Sequence, residues 1–297
     1  MIKILAQILF YLILLFQPLI SLAQDDLMNL LEEETEQTTE YASATFKATR
    51  IMNGHSTKTM PEGQLDFRIH HRFGRLNSGA YEFWGLDQAN IHLSLEYGIK
   101  NWLMVGVGRG TYEKTYDGFL KFKLLRQSDG ARNMPVSVSL FSSMALNSLK
   151  WPDEERTYYF SSRLSYTHQL LIARKFNEYL SLQVTPTVVH RNLVETRLDP
   201  NDLFACGIGG RIKLTNRVSL NAEYYYVFSP DKETLSNPVY NPLSIGFDIE
   251  TGGHVFQLVF TNSVAMIEKG FITETTGQWG KGDVHFGFNI SRVFTLY

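Results

Sequence analysis

From Gln64 to the end of the chain, hydrophobic and polar residues alternate with period two. In "IHLSLEYGIKNWLMVGVG", Ile91 to Gly108, one face carries Ile91, Leu93, Leu95, Tyr97 and Ile99, and the other carries His92, Ser94, Glu96 and Gly98. Lys100 and Asn101 interrupt the pattern, and Leu103, Val105 and Val107 resume it. This is the signature of a two-stranded hairpin with one apolar face. It recurs along the chain. "QLDFRIHHRF" sets Leu65, Phe67, Ile69 and Phe73 against Asp66, Arg68, His70 and Arg72. "FLKFKLL" sets Leu120, Phe122 and Leu124 against Lys121 and Lys123, and "PVSVSLFSS" opposes Ser137, Ser139 and Phe141 to Val136, Val138 and Leu140. "YFSSRLSYTHQL" and "YLSLQVTPTVV" repeat it, the first with Arg163 on its polar side. Gly207, Gly209, Arg211 and Lys213 share a polar side, as do Ser219, Asn221, Glu223 and Tyr225. "LSIGFDIE", "VFQLVFTN" and "VHFGFNIS" close the series and add Asp248, Glu250 and His285. The count is about twelve strands of about ten residues each, the length of tilted membrane strands.

Connection lengths alternate. Lys100-Asn101, Thr215-Asn216-Arg217 and Thr251-Gly252-Gly253 are tight, while "GRLNSGAYEFWGLDQ", "NSLKWPDEER" and "SVAMIEKGFITETTGQWGKGD" are long, with the short "GTYEKTY" as the exception on the long side. Short turns on one side and long loops on the other are the membrane-barrel asymmetry, which puts Lys100-Asn101 in the periplasm and the loop from Trp151 to Arg156 outside. A soluble two-sheet sandwich would alternate in the same way. Three features favour lipid against the apolar face. The polar face is rich in Gly, Ser, Thr, Asn and charge, which suits a wet interior, and a closed sheet this wide is too broad for side chains alone to fill with an apolar core. Aromatic residues near strand ends, among them Tyr97, Trp102, Tyr116, Phe160, Tyr179, Phe204, Tyr226, Phe228 and Phe294, read as two interfacial girdles. The expected fold is an all-β transmembrane antiparallel up-and-down barrel over residues 64–297, of outer-membrane type.

The chain starts with Lys3, an apolar run from Ile8 to Phe16, Pro18 and Ser21-Leu22-Ala23. This reads as a secretory signal over residues 1–23, too short for a spanning helix of about 20 apolar residues. Residues 24–63 read as an acidic periplasmic leader and N-terminal segment. "QDDLMNLLEEETEQTTE" is a short amphipathic helix or a solvated tail, and "FKATRIMNGHSTKTM", Phe46 to Met60, alternates too poorly to count as a barrel strand. The expected location is the outer membrane of a Gram-negative-type bacterium, with outer-membrane lipid and the barrel-assembly machinery as partners. The near balance of 28 basic and 30 acidic residues leaves no footprint for nucleic acid. Cys206 is the only cysteine, so no internal disulfide forms, and it reads as a small strand residue.

The stretches "TFKATRIMNGHS", "GLDQANIHLSLEYGI", "TYDGFLKFKLLRQ" and "GFNISRVF" resemble a family described only as a membrane-bound β-barrel domain of unknown function. The resemblance covers most of the chain after the signal. It implies an outer-membrane barrel and brings no activity with it.

Little in the chain suggests chemistry. "GVGRG" and "GIGG" lie inside strands with no helix after them, so a dinucleotide loop lacks its context, and curvature or close approach explains them. His70, His92 and His285 share the polar face, but no local spacing supports a metal, and hydrogen-bonded lumen histidines are the simpler account. His168 and Ser162 share a lipid face about 20 Å apart, out of reach for a hydrolase pair. Catalytic, metal and cofactor sites are therefore all expected to be none. The informative set is the lumen charge: Arg68, Arg72, Lys121, Lys123, Arg163, Arg211 and Lys213 with Asp66, Glu96, Glu223, Asp248 and Glu250. It fits a narrow passive or gated conduit for small polar solutes with a mild anion preference, or a lattice of ion pairs filling a non-transporting barrel that docks partners. The long loop from Ser263 to Asp283 separates the two. Folded inward it constricts a pore, and projecting outward it suits a partner.

Overall fold

In a computed structural model, the described residues are 38–151, 158–196, 199–228, 238–252 and 254–296. The expected signal over residues 1–23, most of the expected acidic leader, most of the loop from Trp151 to Arg156, and Tyr297 lie outside them. The strands are β1 Thr39–Tyr41, β2 Gln64–Arg75, β3 Ala89–Lys100, β4 Leu103–Gly110, β5 Tyr116–Leu125, β6 Ser128–Gly130 and β7 Ser137–Leu146, then β8 Leu164–Lys175, β9 Leu180–Arg191, β10 Asp202–Lys213, β11 Val218–Phe228, β12 Leu243–Thr251, β13 His254–Thr261 and β14 His285–Thr295. Twelve of them, all but β1 and β6, close into one antiparallel barrel in which β14 pairs with β2. Each remaining barrel strand pairs with its neighbours in chain order, as an up-and-down barrel requires. β1 and β6 form a separate two-stranded ribbon, with β6 inside the turn between β5 and β7. No helix among the described residues is long and apolar enough to cross a membrane.

The barrel is inside out relative to a soluble protein. Leu93, Leu95, Val107, Leu120, Met144, Ile208, Ile212 and Phe247 are exposed on the outer surface. Their neighbours Ser94, Glu96, Lys121, Arg211 and Asp248 are buried. Such a continuous apolar exterior is stable only against lipid. Exposed aromatics mark both ends of the wall: Trp102, Tyr179 and Phe294 at the end with the short turns, and Tyr116, Phe160, Phe204, Tyr226 and Phe228 at the end with the long loops. Leu296 ends the described chain at the turn end, its N–H bonded to the Gly63 carbonyl.

Two segments outside the wall fill the interior. Residues 46–60 enter from the turn end and, Lys47 and Lys58 apart, are buried. They fold back as a hairpin in which Arg50 pairs with His55, Ile51 N–H donates to Gly54 O and Ser56 N–H donates to Thr49 O. The Asn53-Gly54 dipeptide at the tip is a strong turn former. From the other end, the connection between β13 and β14 turns inward and carries a short helix, Glu268–Thr273. Its Phe271 and Ile272 pack against Val189, Leu203, Tyr225 and Val227 of the inner wall. This loop therefore folds into the barrel rather than projecting from it.

Candidate functional site in the barrel lumen

The inner wall grips the hairpin mostly by its backbone. The Glu223 carboxylate accepts the N–H groups of Met52, Asn53 and Gly54 at 2.7–3.3 Å. On the far wall, the Lys121 ammonium donates to the carbonyls of Thr49, Ser56 and Lys58 at 2.9–3.2 Å. Gln183 donates to His55 O at 2.8 Å and accepts from Thr57 N–H at 3.0 Å. Gln257 donates to Ile51 O and Asn289 to Met52 O, both at 3.0 Å. Hydrogen bonds to charged groups contribute about 1.5–3 kcal/mol each, so Glu223 and Lys121 are the main anchors.

A smaller set of contacts reads side chains. Asn53 donates to Ser244 Oγ at 3.0 Å and accepts from the Arg72 guanidinium at 2.7 Å. Thr49 Oγ1 donates to Glu96 at 2.8 Å. The Arg50 guanidinium lies 3.6 Å from Glu96 and 3.4 Å from Glu268 of the loop helix. His55 packs between the Phe119 and Phe141 rings, at centroid distances of 4.6 and 4.2 Å. The fit is close. A Cβ at Gly54 would overlap Tyr225 Oη, and one at the wall residue Gly209 would overlap Ile51 Cδ1. "GIGG" is thus a place of close approach rather than a phosphate loop.

Of the lumen candidates, Asp66, Arg68, His70, Arg72, His92, Glu96, Lys121, Arg211, Glu223, Asp248 and His285 are buried on the inner face. Arg68 is paired with Asp66 at 2.7 Å, and His92 with Asp117 at 2.7 Å. His70 and His92 stand edge to face at 5.6 Å, while His285 bonds to Phe73 O, so these three histidines do not converge on one point. Among the described residues, no group of three His, Cys, Asp or Glu is arranged to hold a metal ion. Lys123, Lys213 and Glu250 are half-buried at the turn end, where Lys213 sits over the Tyr179 ring and Glu250 pairs with Lys47 of the inserted segment. Arg163 departs from its expected place. β8 begins only at Leu164, and Arg163 lies in a 3-10 turn at the loop end, donating to the carbonyls of Asn147 and Leu149 and stacking over Trp151.

The residues that sequence reasoning missed are those of the insert: Thr49, Arg50, Asn53 and His55, with Glu268 from the loop. Two signals pointed to them. Asn53-Gly54 is a turn dipeptide inside a segment with no strand alternation. Phe119, Phe141 and Tyr225 are aromatic residues on the polar phase of their strands, and each seats part of the insert or the loop.

Above the loop helix, the loop end opens into a cavity of about 640 Å3 lined by Trp151, Arg163, Arg191, Lys269 and Glu274 among others. Lys269 bridges Glu113 and Glu274. Burial pushes the Glu274 carboxyl up to about 7, with Glu113 adding to it and Lys269 opposing it. On the outer face, Ser142 Oγ and His168 Nδ1 lie 3.0 Å apart on directly paired residues. Ser142, rather than Ser162, is the serine within reach of that histidine.

A family described as a membrane-bound beta barrel domain matches residues 46–294, a span that includes the inserted hairpin. Among solved structures, an outer membrane channel from Pseudomonas putida F1 aligns at 10% identity with a TM-score of 0.51, over 80% of this chain and 98% of that one. The NanC porin aligns at 7% identity with a TM-score of 0.47, over 78% and 98%. An outer membrane phospholipase A from Escherichia coli aligns at 15% identity with a TM-score of 0.40, over 84% and 97%. At such identities the likeness concerns the fold alone. No curated protein matches the chain.

Proposed function

The chain belongs to the family of membrane-bound β-barrel domains, and from that membership we propose that it is a gated conduit of a bacterial outer membrane, seen here with its lumen closed. The observation that carries this is the insertion of residues 46–60, whose backbone is held by polar side chains of the wall. In this reading the polar lumen is a solute path, and the hairpin is its plug. The loop helix narrows the same path from the other end. Small polar solutes pass when the hairpin withdraws through the turn end, the side from which it enters. The short turns face the periplasm and the long loops face outward. A cleaved signal delivers the chain, and the barrel-assembly machinery inserts it into lipid. The outward Ser142–His168 pair engages the ring through Nδ1, and no catalytic role is assigned to it.

A second reading has one specific observation in its favour. Outside the wall, β1 pairs with β6 and Ala42 N–H bonds to Gln127 O, so the chain leading into the plug is itself fastened to a turn. A barrel sealed in this way would serve as a docking platform without conducting.

A reversible lock separates the two. With Cys206→Ser as background, Asn53→Cys and Ser244→Cys replace side chains now joined at 3.0 Å. Bridged by a disulfide, the pair should be silent in a planar bilayer. Unbridged, the same protein should show openings. Silence in both states, together with silence of an Arg50→Ala variant, would decide for the docking barrel.

A further inference from the structure

The way the wall holds the hairpin identifies a ligand class. Six wall residues on six different strands, Glu223, Lys121, Gln183, Gln257, Asn289 and Ser139, reach main-chain N–H or C=O groups of residues 49–58. Main-chain groups are common to every peptide, so these contacts do not depend on the side chains of the guest. The charges are disposed for this purpose. A carboxylate faces the N–H groups of the tip, and an ammonium faces the carbonyls where the two arms come together. The side chains of Ile51 and Met52 lie against the wall glycines Gly209 and Gly246, in the space a Cβ there would take.

We infer that the lumen is a peptide-binding site: with the plug withdrawn, it takes a short segment of another polypeptide in the same backbone-reading manner. This rests on the conduit proposed above and names its ligand class, a flexible peptide of about the plug's length. Sequence preference is confined to a few positions: Arg50 with Glu96, Asn53 with Arg72 and Ser244, and a glycine at 54, where Tyr225 leaves no room for a Cβ.

The test uses the full-length chain carrying Arg50→Ala and Asn53→Ala. These changes remove the plug's ion pairs with Glu96 and Glu268 and its Asn53 contacts with Arg72 and Ser244, and leave the wall intact. Three fluorescein-labelled peptides are the probes: residues 46–60 as they stand, the same residues scrambled except that Arg50, Asn53 and Gly54 keep their places, and the native order with N-methyl groups at the positions of Met52, Asn53 and Gly54. Fluorescence anisotropy reports binding and single-channel current reports block. The native and scrambled peptides should bind within about tenfold of each other. The N-methylated peptide should be weaker by at least about tenfold, as should all peptides against an added Glu223→Gln or Lys121→Met change, since each loses charge-assisted hydrogen bonds. Heat-modifiability on gels confirms that each variant is folded, and the two wall variants serve as alternatives should one fail to assemble. Binding by the native peptide alone, or equal binding by the N-methylated one, would overturn the inference by showing recognition through side chains. Conduction with no peptide binding would overturn it and leave the conduit standing. A variant that neither conducts nor binds would remove the conduit reading and this inference with it.

Discussion

Arg50, carried into the barrel from the turn end, lies 3.4 Å from Glu268, carried in from the loop end, and both side chains are buried. The hairpin and the loop helix therefore meet in one ion pair, with Glu96 of the wall as a third member at 3.6 Å from the guanidinium. Withdrawal of the hairpin leaves Glu268 without Arg50, whereas movement of the loop helix leaves Arg50 its Glu96 partner.

That relationship gives the first prediction. Arg50→Ala leaves the Glu96 and Glu268 carboxylates without their cation, at a cost of about 3–5 kcal/mol for a broken buried pair. The hairpin should withdraw and channel activity should rise. Glu268→Gln should be milder, because Arg50 keeps Glu96 as a partner. Bilayer recordings check the ranking. An Arg50→Ala protein as silent and as heat-resistant as the parent would show that the triad does not hold the plug.

A steric change should act in the same direction without touching a charge. A Cβ at Gly54 would overlap Tyr225 Oη and come within 3.2 Å of the Glu223 carboxylate. Gly54→Ala should therefore push the hairpin tip off the wall, at about 1–3 kcal/mol for an overpacked site. Limited proteolysis should cut within residues 46–60 while the barrel keeps its heat-modifiable band. Full protection of that segment would contradict the fit described here.

The wall was legible in the sequence, and what fills it was not. Period-two alternation marks Leu93 or Lys121 as outward or inward, because side-chain direction in a strand depends only on position parity. The lumen carboxylates and cations followed from the same rule. The hairpin escaped it because a segment packed inside a barrel has no free face and no period. Arg50 and His55 look like surface residues until the wall around them is known. Arg163 was misplaced because parity was extended past the point where β8 begins. For the connection between β13 and β14, its apolar Met266, Ile267, Phe271 and Ile272 were the sign that it turns inward, since a loop in water gains nothing from burying them.

The mouth of the barrel should respond to pH. Glu274 sits beside Lys269, Glu113 and Tyr112 with its carboxyl pushed up to about 7 by burial. A carboxyl raised above its unfolded value favours the packed state while it stays protonated. That contribution is present below about pH 4.5 and is lost as pH rises through about 7. Labelling of a cysteine placed at the buried Thr273, in the Cys206→Ser background and normalised to the labelling of the same cysteine in unfolded protein at each pH, should therefore quicken between pH 6 and about 8. Glu274→Gln should flatten the profile. A profile of the same slope in that variant would assign the transition to another group.

Opposite faces of one strand should fail differently. Leu120 is 45% exposed on the lipid side, and Lys121 beside it is fully buried in the lumen. Leu120→Arg places a charge against hydrocarbon, at about 2–4 kcal/mol at mid-depth, and should reduce assembled barrel. Lys121→Met should assemble normally and loosen the plug, because three carbonyls lose their donor. Heat-modifiability scores the first effect and proteolysis of the plug the second. Normal assembly of Leu120→Arg with failure of Lys121→Met would mean that the two faces are reversed.

The charge selectivity of an opened lumen should differ from what the charge count along the strands suggests. That count favours anions because of Lys123, Arg163 and Lys213. Yet Lys123 and Lys213 stand at the turn-end rim, and Arg163 is engaged at the loop end with two carbonyls and Trp151. The buried wall holds Arg68, Arg72, Lys121 and Arg211 against Asp66, Glu96, Glu223 and Asp248, with Glu268 added by the loop. Withdrawing the hairpin takes Arg50 away and frees Glu96 and Glu223 from the groups that now occupy them. Arg68 stays tied to Asp66. The open path therefore carries a small excess of carboxylate at its narrowest part, where a low-dielectric wall makes charge count most. In a salt gradient across a bilayer, the Arg50→Ala protein should show a mild cation preference. Glu96→Gln and Glu223→Gln should each move the reversal potential toward anions, and Lys121→Gln should move it toward cations. Raising the salt above about 1 M, where the screening length falls to about 3 Å, should suppress rim effects first and leave these shifts. An opened protein that prefers anions, and loses the preference when Lys123 and Lys213 are changed to Gln, would place the selectivity at the rim instead of the deep wall.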